Sequence, residues 1–238
     1  MPNIAITEKC NLHCSYCFAE ESIGERRTDI SSADYSKALD FLTKEGEVIV
    51  GLIGGEPLLH ESFDAIVKDT VSNPRVSRCV VYTNGIDIER HIESLSMPKV
   101  SLLVNWNSPE QLGEERFEAI ERGMDSLVFD RGILDRVNIG LNLYSNDFDY
   151  SYAKSLLKKY GLHRVRISLT IPTCKVRMLD AFKERKRYLF DFLKEMRAIG
   201  VLPYYDCNQP PACIWDDEEI EWIRDFINEC GNPSSNLL

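Results

Sequence analysis

The chain has 238 residues, 44% of them apolar and 28% charged, with 13 glycines and 10 prolines. This composition excludes disorder, collagen and coiled coil, and the length suffices to bury a sizeable core in one domain with an appendage. A formal charge of −10 disfavours nucleic acid and anionic lipid as partners, and no stretch approaches the ~18 apolar residues of a membrane span.

The amino terminus MPNIAITEKC lacks a basic start followed by a long apolar run, so a cytoplasmic protein is expected. Within it, NIAIT reads as the first strand. Directly after come Cys10, Cys14 and Cys17, three thiols within eight residues. In a reducing compartment such clustered thiols point to metal or catalysis rather than to disulfides. A structural zinc site with His13 as fourth ligand is one alternative, but no second cysteine pair with two-residue spacing is present to complete it.

Ser31-Ser32-Ala33-Asp34 reads as an N-cap opening the first helix, which ends before Gly46. VIVGLI is the second strand and runs into Gly54-Gly55-Glu56-Pro57. Glycines there let the backbone approach a ligand, and the carboxylate beside them can accept from an ammonium group. CVVYTN, VSLLVNW, VNIGLNLY and VRISLTIP bring the strands to six. Between them, Phe63, Ile66, Val67; Ile88, Ile92, Leu95; Phe117, Ile120, Met124; and Ala153, Leu156, Leu157, Tyr160 mark the buried faces of helices. A sixth helix is expected from Asp180 to Ile199, with Leu189, Phe192, Leu193 and Met196 inward. Strands and helices in alternation imply an α/β fold with a parallel sheet, either open and doubly wound or an incomplete barrel. After Gly200, the segment VLPYYDCNQPPACIWDDEE reads as a loop, and a last helix starts at Asp216 to Glu219 with Ile220, Ile223 and Ile227 inward.

Cys10, Cys14 and Cys17 with gaps of three and two residues, Tyr16 before the third cysteine, and the GGEP segment after strand 2 together resemble the radical S-adenosylmethionine (SAM) superfamily. The resemblance implies a partial (β/α)6 barrel over residues 1–200 in which the three cysteines hold a [4Fe-4S] cluster and SAM chelates its open iron. Tyr16 would lie near the adenine, and Gly54, Gly55, Glu56 and Pro57 would bind the methionyl group. Thr83, Asn84, Asn105, Asn142 and Ile171, placed by topology at strand tips, are candidates for ribose and adenine. The activity implied is reductive cleavage of SAM and hydrogen abstraction from a substrate, fed by a single-electron donor such as a flavodoxin or ferredoxin.

Residues 201–238 form a cysteine-containing extension. Cys207, Cys213 and Cys230, at gaps of five and sixteen residues, resemble the opening of the SPASM/twitch-like auxiliary-cluster region of peptide-modifying members. A full region continues with more cysteines, so the chain is expected to be a piece of a longer protein, to borrow Cys174 for a second Fe-S cluster, or to have none. The expected substrate is a peptide or protein side chain; a small metabolite or nucleotide is the alternative, and a non-catalytic metal-binding scaffold the rival from another class. Elsewhere, Cys79 reads as core, His60 and His91 as satisfied or surface histidines without a paired carboxylate, and Lys183-Glu184-Arg185-Lys186-Arg187 as a solvated helix face. Trp106 either lines the substrate cavity or closes the barrel top.

Overall fold

Strands form where β-branched runs leave no helical periodicity, and each is followed by a stretch whose apolar residues repeat at three and four. A computed structural model describes residues 1–17, 28–170, 177–230 and 237. Ile171 and Cys174 lie outside the described residues. The chain divides into two compact units, Met1–Val137 and Asn138–Leu238.

In the first unit, β1 (Asn3–Thr7), β2 (Val48–Gly54), β3 (Val76–Thr83) and β4 (Val100–Asn105) pair in parallel in chain order. The helices between and after them are α1 (Ser32–Thr43), α2 (Phe63–Ser72), α3 (Ile92–Leu95), α4 (Pro109–Leu112) and α5 (Glu114–Asp125). The register puts Ile4, Leu52, Val81 and Leu102 in one row across the four strands, and all four are buried. Phe63, Ile66 and Val67 of α2 and Ile120 and Met124 of α5 are buried as well; each such side chain contributes roughly 1.5–3 kcal/mol. On the other face Asn3 and Ala5 are exposed and Ile53, Val80 and Tyr82 half-buried, as the two-residue period of a strand requires. Ser31 caps α1 as its sequence position implies, its hydroxyl accepting from the Asp34 N–H at 3.1 Å.

The second unit opens within β5 (Val137–Leu143) and continues through α6 (Ser151–Tyr160), β6 (Arg164–Leu169), α7 (Met178–Ala198), β7 (Leu202–Cys207) and α8 (Asp217–Glu229). Strands β5, β6 and β7 are parallel neighbours. The seventh strand corrects the expectation of a loop after Gly200. Tyr204 and Tyr205 are good strand formers, and Pro203 is tolerated because, among the described residues, no strand follows β7 in the sheet order and its missing N–H points away from β6, since the neighbouring Leu202 N–H donates to His163 O.

The charged run in α7 is corrected too. Arg185 is half-buried, and its guanidinium donates to the carbonyls of Leu143 (3.1 Å), Thr170 (2.7 Å) and Tyr144 (2.9 Å) at the ends of β5 and β6. Lys186 bridges to Glu219 at 2.6 Å and Asp216 at 3.3 Å. Of the five residues, Lys183, Glu184 and Arg187 are exposed; a helix turns each residue by 100°, so five in a row cannot share one face.

Candidate active site

The cysteine loop leaves the C-terminal end of β1, where parallel α/β folds gather their chemistry. Its base is clasped by the returning chain. The Glu8 N–H donates to Thr28 O at 2.8 Å, and the Ile30 N–H to Ile6 O at 2.8 Å. Asp29 gathers the Thr7 hydroxyl at 2.6 Å, the Lys9 ammonium at 2.8 Å and the Glu61 N–H at 3.3 Å. Burial disfavours the Asp29 carboxylate, but the bonds from Lys9, Thr7 and Glu61 outweigh it and leave the acid below its ordinary pKa. Cys10, Cys14 and Cys17 are free thiols, each partly exposed. The Cys17 N–H donates to Cys14 O at 3.0 Å, closing a turn with Ser15 and Tyr16 at its corners. His13 is exposed.

The GGEP segment lies against this loop. The Gly55 N–H donates to Thr7 O at 2.9 Å and the Glu56 N–H to Lys9 O at 2.7 Å. Both glycines are required by that approach: a Cβ at Gly54 would stand 3.1 Å from Thr7 N, and one at Gly55 2.7 Å from the Lys9 carbonyl carbon and 3.0 Å from Cys10 Cβ. Gly54 also holds φ at +152°, a region side chains rarely enter. Pro57 opens the 3₁₀ turn Pro57–Leu59, where its missing N–H costs nothing.

Glu56 is 1% exposed. One carboxylate oxygen accepts from the Leu58 N–H at 3.1 Å and the Thr83 hydroxyl at 2.7 Å; the other accepts from the Asn84 N–H at 2.7 Å. Burial pushes its pKa up to about 7 against these three donors. The carboxylate therefore ties the turn after β2 to the tip of β3. Asn84 continues the chain of contacts, its amide donating to Asn11 Oδ1 at 2.7 Å, while Asn11 donates to Asp87 at 3.0 Å. Cys10 sits within the field of Glu56, Cys14 and Cys17; burial is the chief cause that raises its pKa, opposed by the Leu12 N–H.

The tip of β4 completes the assembly. Asn107, buried at 7% exposure, accepts from the Tyr16 hydroxyl and turns its amide N–H toward Cys14 Sγ at 3.5 Å. Asn105 Oδ1 is buried and has no hydrogen-bond partner among the described residues. Trp106 is 1% exposed and packs on Phe117 of α5 at 5.7 Å between ring centroids. Asn11, Asn107 and Asp29 escape a reading of the sequence, because isolated polar residues in loops carry no spacing. The one available signal is the pair of asparagines flanking Trp106 directly after an apolar strand.

Asn142, in the second unit, accepts from Arg166 at 3.4 Å. Both nitrogens of His60 are occupied, by Ile30 O at 3.1 Å and the Ser62 N–H at 2.9 Å. His91 does have a carboxylate, Asp64 at 2.9 Å, with Leu58 O at 3.0 Å on its other nitrogen. The sequence hid that pair because 27 residues separate them. Cys79 is core, buried in β3 with burial lifting its pKa to about 12. Cys213 and Cys230 are exposed and lie before and after the 13-residue α8 in the chain. Cys207 closes β7, its side chain lying outside the described residues.

Similarity to known proteins agrees with this layout. The model of the Radical SAM superfamily matches residues 4–154, and the chain belongs to that superfamily of enzymes. Among curated relatives, GTP 3',8-cyclase of Chlorobaculum tepidum is 27% identical over 142 residues, 57% of this chain and 43% of that protein. GTP 3',8-cyclase of Synechocystis sp. is 33% identical over 93 residues, 39% of this chain and 28% of the relative. The chain thus spans about half or less of these relatives. Among solved structures, anSMEcpe with bound AdoMet and Cp18Cys peptide gives a TM-score of 0.61 at 18% identity, over 85% of this chain and 62% of that one. Streptococcus suis SuiB bound to S-adenosylmethionine gives 0.57 at 14% identity, over 87% and 50%. These likenesses establish the fold, an α/β chain of the radical SAM partial-barrel type.

Membership implies a [4Fe-4S] cluster and SAM. Among the described residues no three His, Cys, Asp or Glu side chains form a converged metal-holding group. The donor set nevertheless fits: three free, partly exposed thiols on one loop suit iron–sulfur ligation. The vacant acceptor of Asn105 is a polar group of the kind a bound hydroxyl or amine satisfies.

Proposed function

We propose that Cys10, Cys14 and Cys17 hold the cluster and that the chain reductively cleaves SAM to abstract hydrogen from a small-molecule substrate of the nucleotide class. The observation that carries the first part is the contact of the cysteine loop with the GGEP turn, made through the Gly55 and Glu56 N–H groups on Thr7 and Lys9. Held by Cys10, Cys14 and Cys17, the cluster would supply the one-electron reduction that SAM cleavage needs. The chain's own residues hold and shield. Gly54 and Gly55 leave room at the loop, and the Glu56 carboxylate keeps the turn against β3 while lending negative charge to the site where the methionyl ammonium would bind. Asn105 Oδ1 offers an acceptor to the nucleoside half of SAM, with Tyr16 and Asn84 beside the same loop; Thr83 acts through Glu56. Asn142 and Ile171 remain candidates from the second unit.

The nucleotide class rests on sequence relatives whose names give GTP as substrate. Likeness to peptide-bound structures is a likeness of fold alone, so a peptide is the less supported substrate. Cys207, Cys213 and Cys230 remain candidates for a second cluster outside this proposal.

The test is 5'-deoxyadenosine formation by the anaerobically reconstituted chain with SAM and dithionite, alone and with GTP, ATP or a mixed peptide pool. Product that rises severalfold with a purine nucleotide and vanishes in Cys14→Ala is the expected result. Stimulation by peptides alone overturns the substrate class; wild-type cleavage by Cys14→Ala overturns the cluster assignment.

A further inference from the structure

The contact between Asn107 and the cysteine loop has a chemical meaning beyond packing. Asn107 touches both sides of one turn: its amide nitrogen faces Cys14 Sγ at 3.5 Å, and its oxygen accepts from the Tyr16 hydroxyl. That turn is closed by the Cys17 N–H on Cys14 O. The amide cannot be reversed without loss once Cys14 is a thiolate, because its carbonyl oxygen would then face a negatively charged acceptor with no proton between them. The Cys14 sulfur therefore selects the orientation in which an N–H points at it, and the Tyr16 hydroxyl, able to donate or accept, then donates to the amide oxygen. The segment is stiff: Trp106 and Ser108 on either side are buried, and Trp106 is packed on Phe117.

We infer that Asn107 is a positioning residue that sets the reduction potential of the cluster by donating a hydrogen bond to the Cys14 sulfur, with Tyr16 holding its amide in register. The inference rests on the assignment of Cys14 as a cluster ligand. A donor at a cluster sulfur stabilises the reduced state, which carries one more negative charge, more than the oxidised state, and so raises the potential. In this chain that eases loading by an external one-electron donor. Removing the donor lowers the potential and leaves more of the cluster oxidised at a given poise.

The experiment is a redox titration of the reconstituted cluster followed by electron paramagnetic resonance, with iron content and near-ultraviolet circular dichroism measured on the same samples. In Asn107→Leu the ratio of reduced to oxidised cluster at fixed poise is expected to fall about tenfold, a shift of about 59 mV for one electron. In Asn107→Asp it falls at least as far, since a carboxylate replaces the donor while the acceptor for Tyr16 remains. Tyr16→Phe, which frees the amide to turn, shifts in the same direction by less. An unchanged potential in both Asn107 variants, with iron equal to wild type, overturns the inference and leaves the cluster assignment standing. A folded Asn107→Asp chain that has lost its iron also overturns it, because the residue would then hold the cluster in place rather than tune it. A wild-type chain that binds no cluster overturns the assignment itself.

Discussion

Glu56 shows how a single buried carboxylate organises a site. Its three donors, Leu58 N, Thr83 Oγ1 and Asn84 N, come from the turn after β2 and the tip of β3, and each would be left without a partner in a Glu56→Ala chain. A buried donor without an acceptor costs about 1–3 kcal/mol, so urea unfolding should report a loss of about 3 kcal/mol or more, the net of three such donors after relaxation. Gly55→Ala acts differently. The added Cβ meets the Lys9 carbonyl and Cys10 Cβ, so the cysteine loop is displaced while the rest of the unit stays folded. Iron bound after reconstitution should fall to less than half of wild type, with circular dichroism retained.

At the scale of the element, the clasp of residues 28–30 on β1 closes the base of the cysteine loop. Asp29 is its hub, joining β1 through Thr7, the loop through Lys9, and the turn after β2 through Glu61. Because its pKa is lower in the folded chain than the ordinary 3.8, the unfolded chain binds the proton more readily. The stabilisation is therefore present above pH 4 and is lost as pH falls through the folded-state value. Asp29→Asn should flatten this acid limb in denaturation midpoints measured from pH 6 down to pH 3. In the second unit, α8 begins with a capping box in which Asp216 accepts from the Glu219 N–H at 3.0 Å and Glu219 returns a bond from the Asp216 N–H at 2.9 Å. Both carboxylates also receive Lys186 of α7. Asp216→Ala removes cap and bridge together and should lower the Tm by several degrees.

For the whole molecule, the distribution of cysteines sets the metal count. Cys10, Cys14 and Cys17 share one loop, whereas Cys213 and Cys230 are exposed and lie before and after α8 in the chain. The reconstituted chain should hold about four irons, the content of one [4Fe-4S] cluster. A Cys213→Ser, Cys230→Ser double variant should keep that number, as measured by iron analysis. Iron well above four in the wild type, reduced by those substitutions, would show a second cluster on those thiols.

Much of this was legible in the linear sequence. The spacing of three cysteines, the GGEP turn and the 3.6-residue apolar period are local patterns, and local geometry dictates them: a thiol triad must share a loop, a close approach demands glycine, and a buried helix face must repeat. Ser31 as a cap and Leu189, Phe192, Leu193 and Met196 as a buried face follow for the same reason. The tertiary structure alone decided what depends on partners distant in the chain. Tyr204 and Tyr205 became a strand because β6 offered them a free edge, and Arg185 left the solvated face because the carbonyl ends of β5 and β6 lay within its reach. Asp29, Asn107 and the grip of Thr83 and Asn84 on Glu56 join residues 20 to 93 positions apart; separations of that kind leave no period to read, since only folding brings the donors and acceptors together.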